Sequence, residues 1–165
     1  MAVEIVPMKS DFVERFRLAV DTVARERKFL TFLEAPPLPE MRTFVQGSLD
    51  NGDPQFVAVA DGEIVGWRDI VRRRFPSHAH RGTLGMGIAP GCRSRGVGRR
   101  LIDATIGKAR ANGLTRVELA VRAENCRAIT LYEKVGFVAE GVVRDASRVD
   151  RHYYDAASMA LILRD

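Results

Sequence analysis

A helical spacing of hydrophobic residues marks four segments of the chain. From Gly98 the apolar positions recur at i, i+3, i+4, i+7 and i+8, with charged residues between them, until an Asn-Gly pair ends the pattern. Similar spacings follow Ser10, a residue suited to cap a helix, and Met41. These segments predict three amphipathic helices, and a shorter fourth helix is predicted between Asn125 and Gly136.

Apolar segments rich in β-branched residues and bounded by turn residues predict the strands. Gln55–Ala60 and Glu63–Val71 are separated only by Asp61-Gly62, a pair typical of a two-residue hairpin turn. Thr83–Ala89 is a further predicted strand, which Pro90-Gly91 ends. Other strands are predicted at residues 4–8, 117–121, 137–143 and 153–163.

The order of these elements, β-α-α-β-β-β-α-β-α-β-β, predicts an α+β fold. Residues 34–39 contain three prolines and are predicted to be a loop between the first two helices, because proline removes amide donors. No internal repeat or linker interrupts the order. We therefore expect residues 1–165 to form a single domain.

Composition places the chain among globular proteins. Of its 165 residues 46% are hydrophobic and 28% are charged, and no apolar run reaches the length of a membrane-spanning helix. The first residues lack the order of a signal peptide, and the two cysteines, Cys92 and Cys126, form no CxxC pair. These features predict a cytoplasmic protein that has no membrane partner.

The net charge of +5 directs attention to anionic ligands, and the arginines cluster where glycines also occur. The segment Arg93-Ser94-Arg95-Gly96-Val97-Gly98, followed by Arg99, lies between a predicted strand and a predicted helix. Amides at a helix N-terminus have no intrahelical partner, the helix dipole favours anions, and glycines let a ligand approach. The segment therefore predicts a phosphate or pyrophosphate site.

Other kinds of phosphate and nucleic-acid site fit less well. A P-loop would need Lys-Ser/Thr where Val97-Gly98 stands, and a dinucleotide-binding GxGxxG would need glycine at Leu101. Aromatic residues are not interleaved with basic strands, and no helix-turn-helix spacing occurs, so we expect no nucleic-acid partner.

Two ordered motifs resemble the GNAT acetyltransferase superfamily. Its cofactor loop, Gln/Arg-x-x-Gly-x-Gly/Ala, is matched by Arg93, Gly96 and Gly98. Residues 124–137, ENCRAITLYEKVGF, look like its N-x-x-A-x-x-L-Y-x-x-x-G-F signature. Within the superfamily the chain is most similar to phosphinothricin acetyltransferase-like and YhhY-like amino-group acetyltransferases. The resemblance implies a mixed, largely antiparallel sheet of about seven strands with about four helices.

The resemblance also implies a reaction, in which a neutral amine attacks the thioester of acetyl-CoA directly. A splayed strand, here Leu84–Ala89, would bind the pantetheine arm through its backbone, so Met86, Gly87 and Ile88 are predicted cofactor contacts. Small residues at Gly85 and Gly87 would leave room for the ligand. The Ile88 amide would face the thioester carbonyl and stabilise the developing oxyanion, while the Ile88 side chain is expected in the core.

Three further residues receive catalytic or binding roles from the same resemblance. Tyr132 matches the family tyrosine that protonates the leaving thiolate, with a packed tyrosine as the alternative. Asn125 matches a family contact to pantetheine and is equally suited to cap a helix. Relatives that acetylate ribosomal proteins carry an acid where this chain has Ala120, so the predicted general base is Glu118, which shares a strand face with Ala120; a structural carboxylate is the alternative.

The acceptor site is less defined. Glu34, in the proline-rich loop, is a candidate substrate contact, with a solvated loop residue as the alternative, and His80 is a second candidate contact. His78 and His80 are predicted to share a strand face, but a metal site needs a third ligand, and we assign no metal. The acceptor would be a small amine, such as an amino acid or its analogue, or a protein N-terminus. A CoA-binding sensor without turnover is the alternative, and a homodimer is a family-level expectation.

Overall fold

The hydrophobic pattern and the observed elements agree in kind and in order. The computed structural model describes residues 1–164, and within them seven strands and four α-helices follow each other in the predicted sequence. The strands are β1 Glu4–Pro7, β2 Gln55–Ala60, β3 Glu63–Arg72, β4 Arg81–Ile88, β5 Arg116–Arg122, β6 Val138–Val149 and β7 His152–Ile162. The helices are α1 Val13–Ala24, α2 Leu38–Asn51, α3 Val97–Ala111 and α4 Cys126–Val135.

The chain divides into two compact units. The first contains Met1–Val71 and Gly85–Asn112, and the second contains Arg72–Leu84 and the residues from Gly113 onward. Strands are ordered β1-β2-β3-β4 in the first unit and β4-β5-β7-β6 in the second, so that β4 belongs half to each. The β4–β5 pairing is parallel, whereas β1–β2, β2–β3, β5–β7 and β6–β7 are antiparallel. This mixed, largely antiparallel α+β arrangement confirms the predicted fold class; the single domain stays a prediction.

In the first unit, a tight hairpin joins β2 to β3 as predicted. Asp61 and Gly62 both have positive φ, 50° and 79°, which suits the twist of the paired strands, and Ala60 lies opposite Glu63. Because side chains alternate across a strand, Val57 belongs to a core cluster with α1 and α2, whereas Ala58 belongs to a cluster with α3. Both faces of these strands are therefore covered by helices.

Two glycines of β4 are explained by side chains from β3. A Cβ built on Gly87 would lie 2.2 Å from Cη2 of Trp67, and one built on Gly85 would lie 3.1 Å from Oδ1 of Asp69. The indole and the carboxylate therefore occupy the space that side chains at 87 and 85 would fill. We predicted that these glycines leave room for a ligand; on this face of β4 the room is filled by side chains of the protein itself.

In the second unit, β6 and β7 form a long hairpin that the sequence did not reveal in full. β6 extends to Val149, six residues beyond its predicted end, and the turn is made by Asp150 and Arg151 at φ of 52° and 68°. Neither residue is glycine, so the usual sequence signal of this turn is missing. Tyr132 and Phe137 pack against each other in the core of this unit, with their ring centroids 5.5 Å apart.

Two predicted helix starts are wrong. Ser10 lies in a short 3-10 turn, Ser10–Phe12, and α1 begins at Val13 without a side-chain cap. α2 begins at Leu38, inside the predicted proline loop, because Pro39 occupies the first turn, where no helical amide bond is needed. Within residues 1–164 no helix is both long enough and apolar enough to cross a membrane.

Candidate active site

The loop that joins β4 to α3 has the backbone geometry of an anion site. Gly96 is the N-cap of α3 at φ 77°, Ser94 also has positive φ, and the helix begins at Val97. The helical bond from the Arg100 amide to the Gly96 carbonyl is 3.2 Å long, and the preceding amides belong to the first turn, which offers them no helical acceptor. Ser94, Arg95 and Gly96 are exposed to solvent. A phosphate group would meet these amides without hindrance from a side chain at Gly96.

The predicted loop cations differ in their availability. Arg93 donates from Nη1 and Nη2 to both carboxylate oxygens of Glu26, with Nη1 and Oε2 separated by 2.9 Å, and Nε donates to the Ile88 carbonyl at 2.9 Å. Its guanidinium also lies 4.5 Å from the centre of the Phe29 ring. Arg99 pairs with Asp103 at 3.0 Å. Arg95 is exposed and makes no hydrogen bond or ion pair with the residues that the structure describes.

Arg93 therefore has a structural task that its motif position did not suggest. Its side chain links the segment after α1 to the last residue of β4, and its charge is balanced by Glu26. In a strand, the amide and the carbonyl of one residue point to the same edge. By holding the Ile88 carbonyl, Arg93 also fixes the direction of the Ile88 amide.

The amides of β4 divide between its two edges. The Ala89 amide donates to the Val65 carbonyl of β3 at 2.8 Å. Because alternate amides of a strand point to the same edge, those of Met86 and Ile88 point away from β3. Parallel pairing of β4 with β5 comprises Arg81–Thr83, whereas β4 continues to Ile88. The Ile88 side chain packs on the cluster around Leu101, as expected for a core position.

Asp69 is a buried carboxylate that the sequence reasoning missed. It lies on β3, is 9% exposed, and accepts no side-chain hydrogen bond within residues 1–164. Burial raises the pKa of Asp69 to about 7, against the attraction of Arg68. One signal was present in the sequence, because Asp69 and Arg68 are charged residues inside an otherwise apolar, β-branched strand.

Glu118, the predicted general base, is held by three arginines of the second unit. Arg73 and Arg81 donate to Oε1 at 3.1 and 2.9 Å, Arg81 also donates to Oε2 at 2.7 Å, and Arg116 donates to Oε2 at 3.0 Å. Burial acts to raise the pKa of this carboxyl, but the three arginines outweigh burial and lower it. A carboxylate so stabilised is a weak proton acceptor, so this geometry disfavours the predicted role and favours the structural alternative.

Tyr132 and Asn125 occupy the predicted helix α4. The Asn125 side chain accepts a hydrogen bond from the Ala128 amide at 3.2 Å, which confirms that it caps the helix. Tyr132 is 7% exposed and packs on Phe137. Their roles toward pantetheine and the leaving thiolate stay predictions.

The candidate acceptor contacts are surface residues. Glu34 is 74% exposed in its side chain and lies 3.6 Å from Arg25. His80 is exposed and lies just before β4, where its carbonyl accepts from the Thr115 amide. His78 ends a 3-10 turn, so the prediction that the two histidines share a strand face is wrong. No group of three or more metal-ligand side chains occurs among the described residues.

Comparison with known sequences decides the family. The sequence model of the Acetyltransferase (GNAT) family matches residues 20–137, more than half of the chain. The chain belongs to this family. The expected family resemblance is thereby confirmed.

Curated relatives extend the match. The L-amino acid N-acetyltransferase AaaT of Escherichia coli is 31% identical over 115 residues, which are 67% of this chain and 69% of that protein. A mycothiol acetyltransferase of Beutenbergia cavernae is 47% identical over 57 residues, 34% of this chain but only 19% of that protein. The chain thus spans about a fifth of one relative and about two thirds of the other.

Solved structures agree with the GNAT fold. The structure of a GNAT-family acetyltransferase from Streptococcus pneumoniae has a TM-score of 0.91 at 23% identity and covers 98% of this chain and 99% of its own. A phosphinothricin acetyltransferase from Sinorhizobium meliloti, solved in complex with acetyl-CoA, has a TM-score of 0.84 at 19% identity and covers 99% and 89%. At these identities the likeness establishes the fold alone.

Proposed function

We propose that this GNAT protein transfers the acetyl group of acetyl-CoA to the primary amine of a small molecule, an amino acid or an amino-acid analogue. The observation that carries the proposal is the anion site after β4. There the first-turn amides of α3 lack helical acceptors, and the exposed Gly96 and Arg95 lie in the family's cofactor motif. A cytoplasmic setting and a homodimer stay predictions.

The chain's own residues suit the CoA moiety. Amides at Gly96, Val97 and Gly98 would bind the pyrophosphate, with Arg95 as the charged partner and Ser94 and Arg99 at the rim. Amides at Met86 and Ile88, on the edge of β4 remote from β3, would bind the pantetheine arm, and Gly87 lies between them. We assign Arg93 a positioning role, since its guanidinium is engaged by Glu26 and by the Ile88 carbonyl.

The chemistry is a direct transfer between two substrates. The amine nitrogen attacks the thioester carbon, and the Ile88 amide would stabilise the oxygen as negative charge develops on it. The C–N bond forms, the C–S bond breaks, and the leaving thiolate takes a proton from Tyr132. The nitrogen releases one proton to solvent as the amide forms, and Tyr132 regains its proton from solvent. Asn125, whose side-chain oxygen caps α4, would contact pantetheine through its side-chain amide nitrogen.

A small acceptor is supported by the relative that shares two thirds of its length with this chain, since that protein is named an L-amino acid N-acetyltransferase. A ribosomal protein bS18 alanine N-acetyltransferase of Salmonella typhimurium is 35% identical over 74 residues, 45% of this chain. A protein N-terminus is therefore the second candidate acceptor.

The test is product formation from acetyl-CoA with a panel of amino acids, small amines and N-terminal peptides, followed by mass spectrometry. We expect acetylated amino acids and a higher Tm in acetyl-CoA, because a ligand that binds only the folded state stabilises it. Acetylated peptides alone would favour the second candidate. Binding without any product would favour the CoA-sensor alternative and would overturn the enzymatic proposal.

Two variants separate binding from chemistry. Gly96→Val forces φ of 77° on a β-branched residue and places a side chain at the anion site, so the KM for acetyl-CoA should rise. Gly107→Ala, with no atom within 4 Å of the added Cβ, is the matched control.

Tyr132→Phe should lower kcat by roughly 10²- to 10⁴-fold and leave CoA binding intact. Normal turnover of Tyr132→Phe would make the tyrosine structural.

A further inference from the structure

The ion pair of Glu26 and Arg93 joins the end of α1 to the end of β4, and both ends belong to the first unit. Glu26 lies two residues after α1, and its amide donates to the Val23 carbonyl at 3.2 Å. Val23 is 1% exposed and belongs to the core cluster of α1 and α2. The Glu26 side chain is therefore carried by backbone that is anchored to the core.

The Arg93 guanidinium is held on three sides. Nη1 and Nη2 donate to the two carboxylate oxygens of Glu26, Nε donates to the Ile88 carbonyl at 2.9 Å, and the Phe29 ring lies 4.5 Å away. The Arg93 and Glu26 side chains are 21% and 24% exposed, so the pair is partly shielded from water. A two-bond fork of this kind fixes the plane of the guanidinium, and with it the direction of Nε.

The peptide group between Ile88 and Ala89 is fixed at both of its polar atoms. Its carbonyl, that of Ile88, accepts from Arg93, and its amide, that of Ala89, donates to the Val65 carbonyl of β3 at 2.8 Å. Ile88 is the last residue of β4, so at this point a side chain takes over from the bonds of the strand. Arg93 therefore sets the orientation of the chain where β4 ends.

The preceding peptide group, between Gly87 and Ile88, carries the amide that would face the thioester. Its carbonyl lies against β3, since a Cβ added at Gly66 would be 3.3 Å from the Gly87 oxygen. A trans peptide directs its carbonyl and its amide to opposite sides. The Ile88 amide therefore points away from β3, to the same edge on which Arg93 holds the Ile88 carbonyl.

We propose that Glu26 is a positioning residue of the transfer reaction, acting through Arg93 to keep the Ile88 amide aimed at the thioester oxygen. This inference rests on the proposed function. A donor stabilises a developing oxyanion only if it already points to the place where the charge forms, and a misplacement of about 1 Å can cost about 10²-fold in rate. Glu26 itself touches neither substrate.

The main test compares the single-turnover rate of acetyl transfer in Glu26→Gln and in wild type. Glutamine keeps the shape of the side chain, but its NH₂ group faces the donors of Arg93, so the fork opens and the rate should fall roughly 10- to 100-fold. The Kd for acetyl-CoA, measured by calorimetry without an acceptor, should stay close to that of wild type, because the anion loop is unaltered. A wild-type or higher rate in Glu26→Gln would overturn the proposal.

The matched control is Glu14→Gln. Glu14 accepts from Arg42 at 2.8 Å, and its side chain is 70% exposed, so this variant also removes one carboxylate from an arginine pair of the first unit. Its rate of acetyl transfer should equal that of wild type. An equal loss in the two variants would show a general effect of charge and would contradict the role of Glu26.

A double-mutant cycle tests whether Glu26 acts through Arg93. Arg93→Ala removes the bond to the Ile88 carbonyl, so it should slow acetyl transfer at least as much as Glu26→Gln. Once Arg93 is absent, Glu26→Gln should cause no further loss, and the double variant should equal Arg93→Ala. Losses that multiply in the double variant would mean that Glu26 acts independently of Arg93, which would refute the proposal.

Hydrogen exchange gives a measurement that needs no turnover. In Glu26→Gln the Ala89 amide should exchange faster than in wild type, because its peptide group is no longer held by Arg93. The Ile70 amide of β3, which donates to the Pro54 carbonyl at 2.9 Å, should exchange at an unchanged rate. An unchanged Ala89 rate would contradict the positioning of this peptide group by Glu26.

A second variant covers a Glu26→Gln protein that fails to fold. Glu26→Asp keeps the charge but is one methylene group shorter, so acetyl transfer should again slow down, and a wild-type rate would overturn the proposal. Failure of the proposed function is distinguishable, because wild type would then form no product and this inference would fall with it. Product from wild type combined with an unaltered rate in Glu26→Gln would refute this inference alone.

Discussion

Glu118 and Asp69 are both strand carboxylates with little solvent exposure, yet their environments are opposite. Glu118 accepts hydrogen bonds from Arg73, Arg81 and Arg116, whereas Asp69 lies against the glycine backbone of β4 without a hydrogen bond to its carboxylate in the described part of the chain. The pKa of Glu118 is lowered below its usual value by its arginines despite burial, and the pKa of Asp69 is raised to about 7 by burial.

This difference separates two ways of fixing a carboxylate. Charge partners fix Glu118 and remove its tendency to bind a proton, which suits a structural element. Packing fixes Asp69, and the attraction of Arg68 does not offset the burial of its charge, so the charged form costs stability. The sequence pattern singled out Glu118, whereas the environment of Asp69 became apparent only from the structure.

The largest expected effect is the pH dependence of stability at Asp69. Between its ordinary pKa of 3.8 and about 7, the folded protein holds a proton that the unfolded chain has released. This contribution to stability is complete below about pH 4 and is lost as the pH rises through 7. Asp69→Asn should therefore be more stable than wild type at pH 8 by as much as about 4 kcal/mol, and the gain should vanish near pH 4. Urea denaturation at the two pH values measures it; a constant difference would contradict burial of the charge.

The next effect tests packing beside Asp69. Gly87→Ala places a Cβ 2.2 Å from the rigid Trp67 ring, and overpacking of this kind costs about 1 to 3 kcal/mol of unfolding free energy. The loss should be equal at pH 4 and pH 8, since no charge changes. Gly107→Ala, in an open position of α3, should gain about 0.5 to 1 kcal/mol instead. A pH-dependent loss in Gly87→Ala would mean that the ring and the carboxylate are not separate constraints.

The smallest effect belongs to Glu118. Because its pKa is lowered in the folded state, its contribution is present above its usual pKa and is lost as the pH falls through the folded value. Glu118→Gln should cost about 1 to 2 kcal/mol at pH 7 and less at pH 3, as measured by chemical denaturation. Asp103→Asn, in an exposed pair with Arg99, should cost under about 0.5 kcal/mol. A stable Glu118→Gln with altered kinetics would restore its predicted catalytic role.

Much of the fold could be predicted because local signals agree with it. Asp61-Gly62 specified a hairpin, and Asn125 and Gly136 specified both ends of α4. The turn at Asp150-Arg151 escaped prediction, because residues other than glycine adopt positive φ there only when the surrounding pairing holds them.

The candidate site was predictable where backbone conformation decides it and not where distant side chains do. Gly96 predicts a positive φ just before a helix, so the anion loop could be predicted from the sequence. The ion-pair partner of Arg93 lies 67 positions away along the chain, and the partners of Glu118 lie up to 45 positions away. No local sequence pattern encodes such pairs. The environment of Asp69 could not be predicted, because it depends on how this β3 side chain packs against the backbone of β4.

The link from Glu26 through Arg93 to the Ile88 carbonyl has a thermodynamic consequence. It ties the connection between α1 and α2, which carries the candidate acceptor residue Glu34, to the strand end that would bind the donor. Coupling free energy is reciprocal, so if donor binding at Ile88 orders the connection, then acceptor binding at the connection must tighten the donor by the same factor. Glu26→Gln should weaken both halves of this cooperativity together, and each substrate's Kd should then become independent of the other.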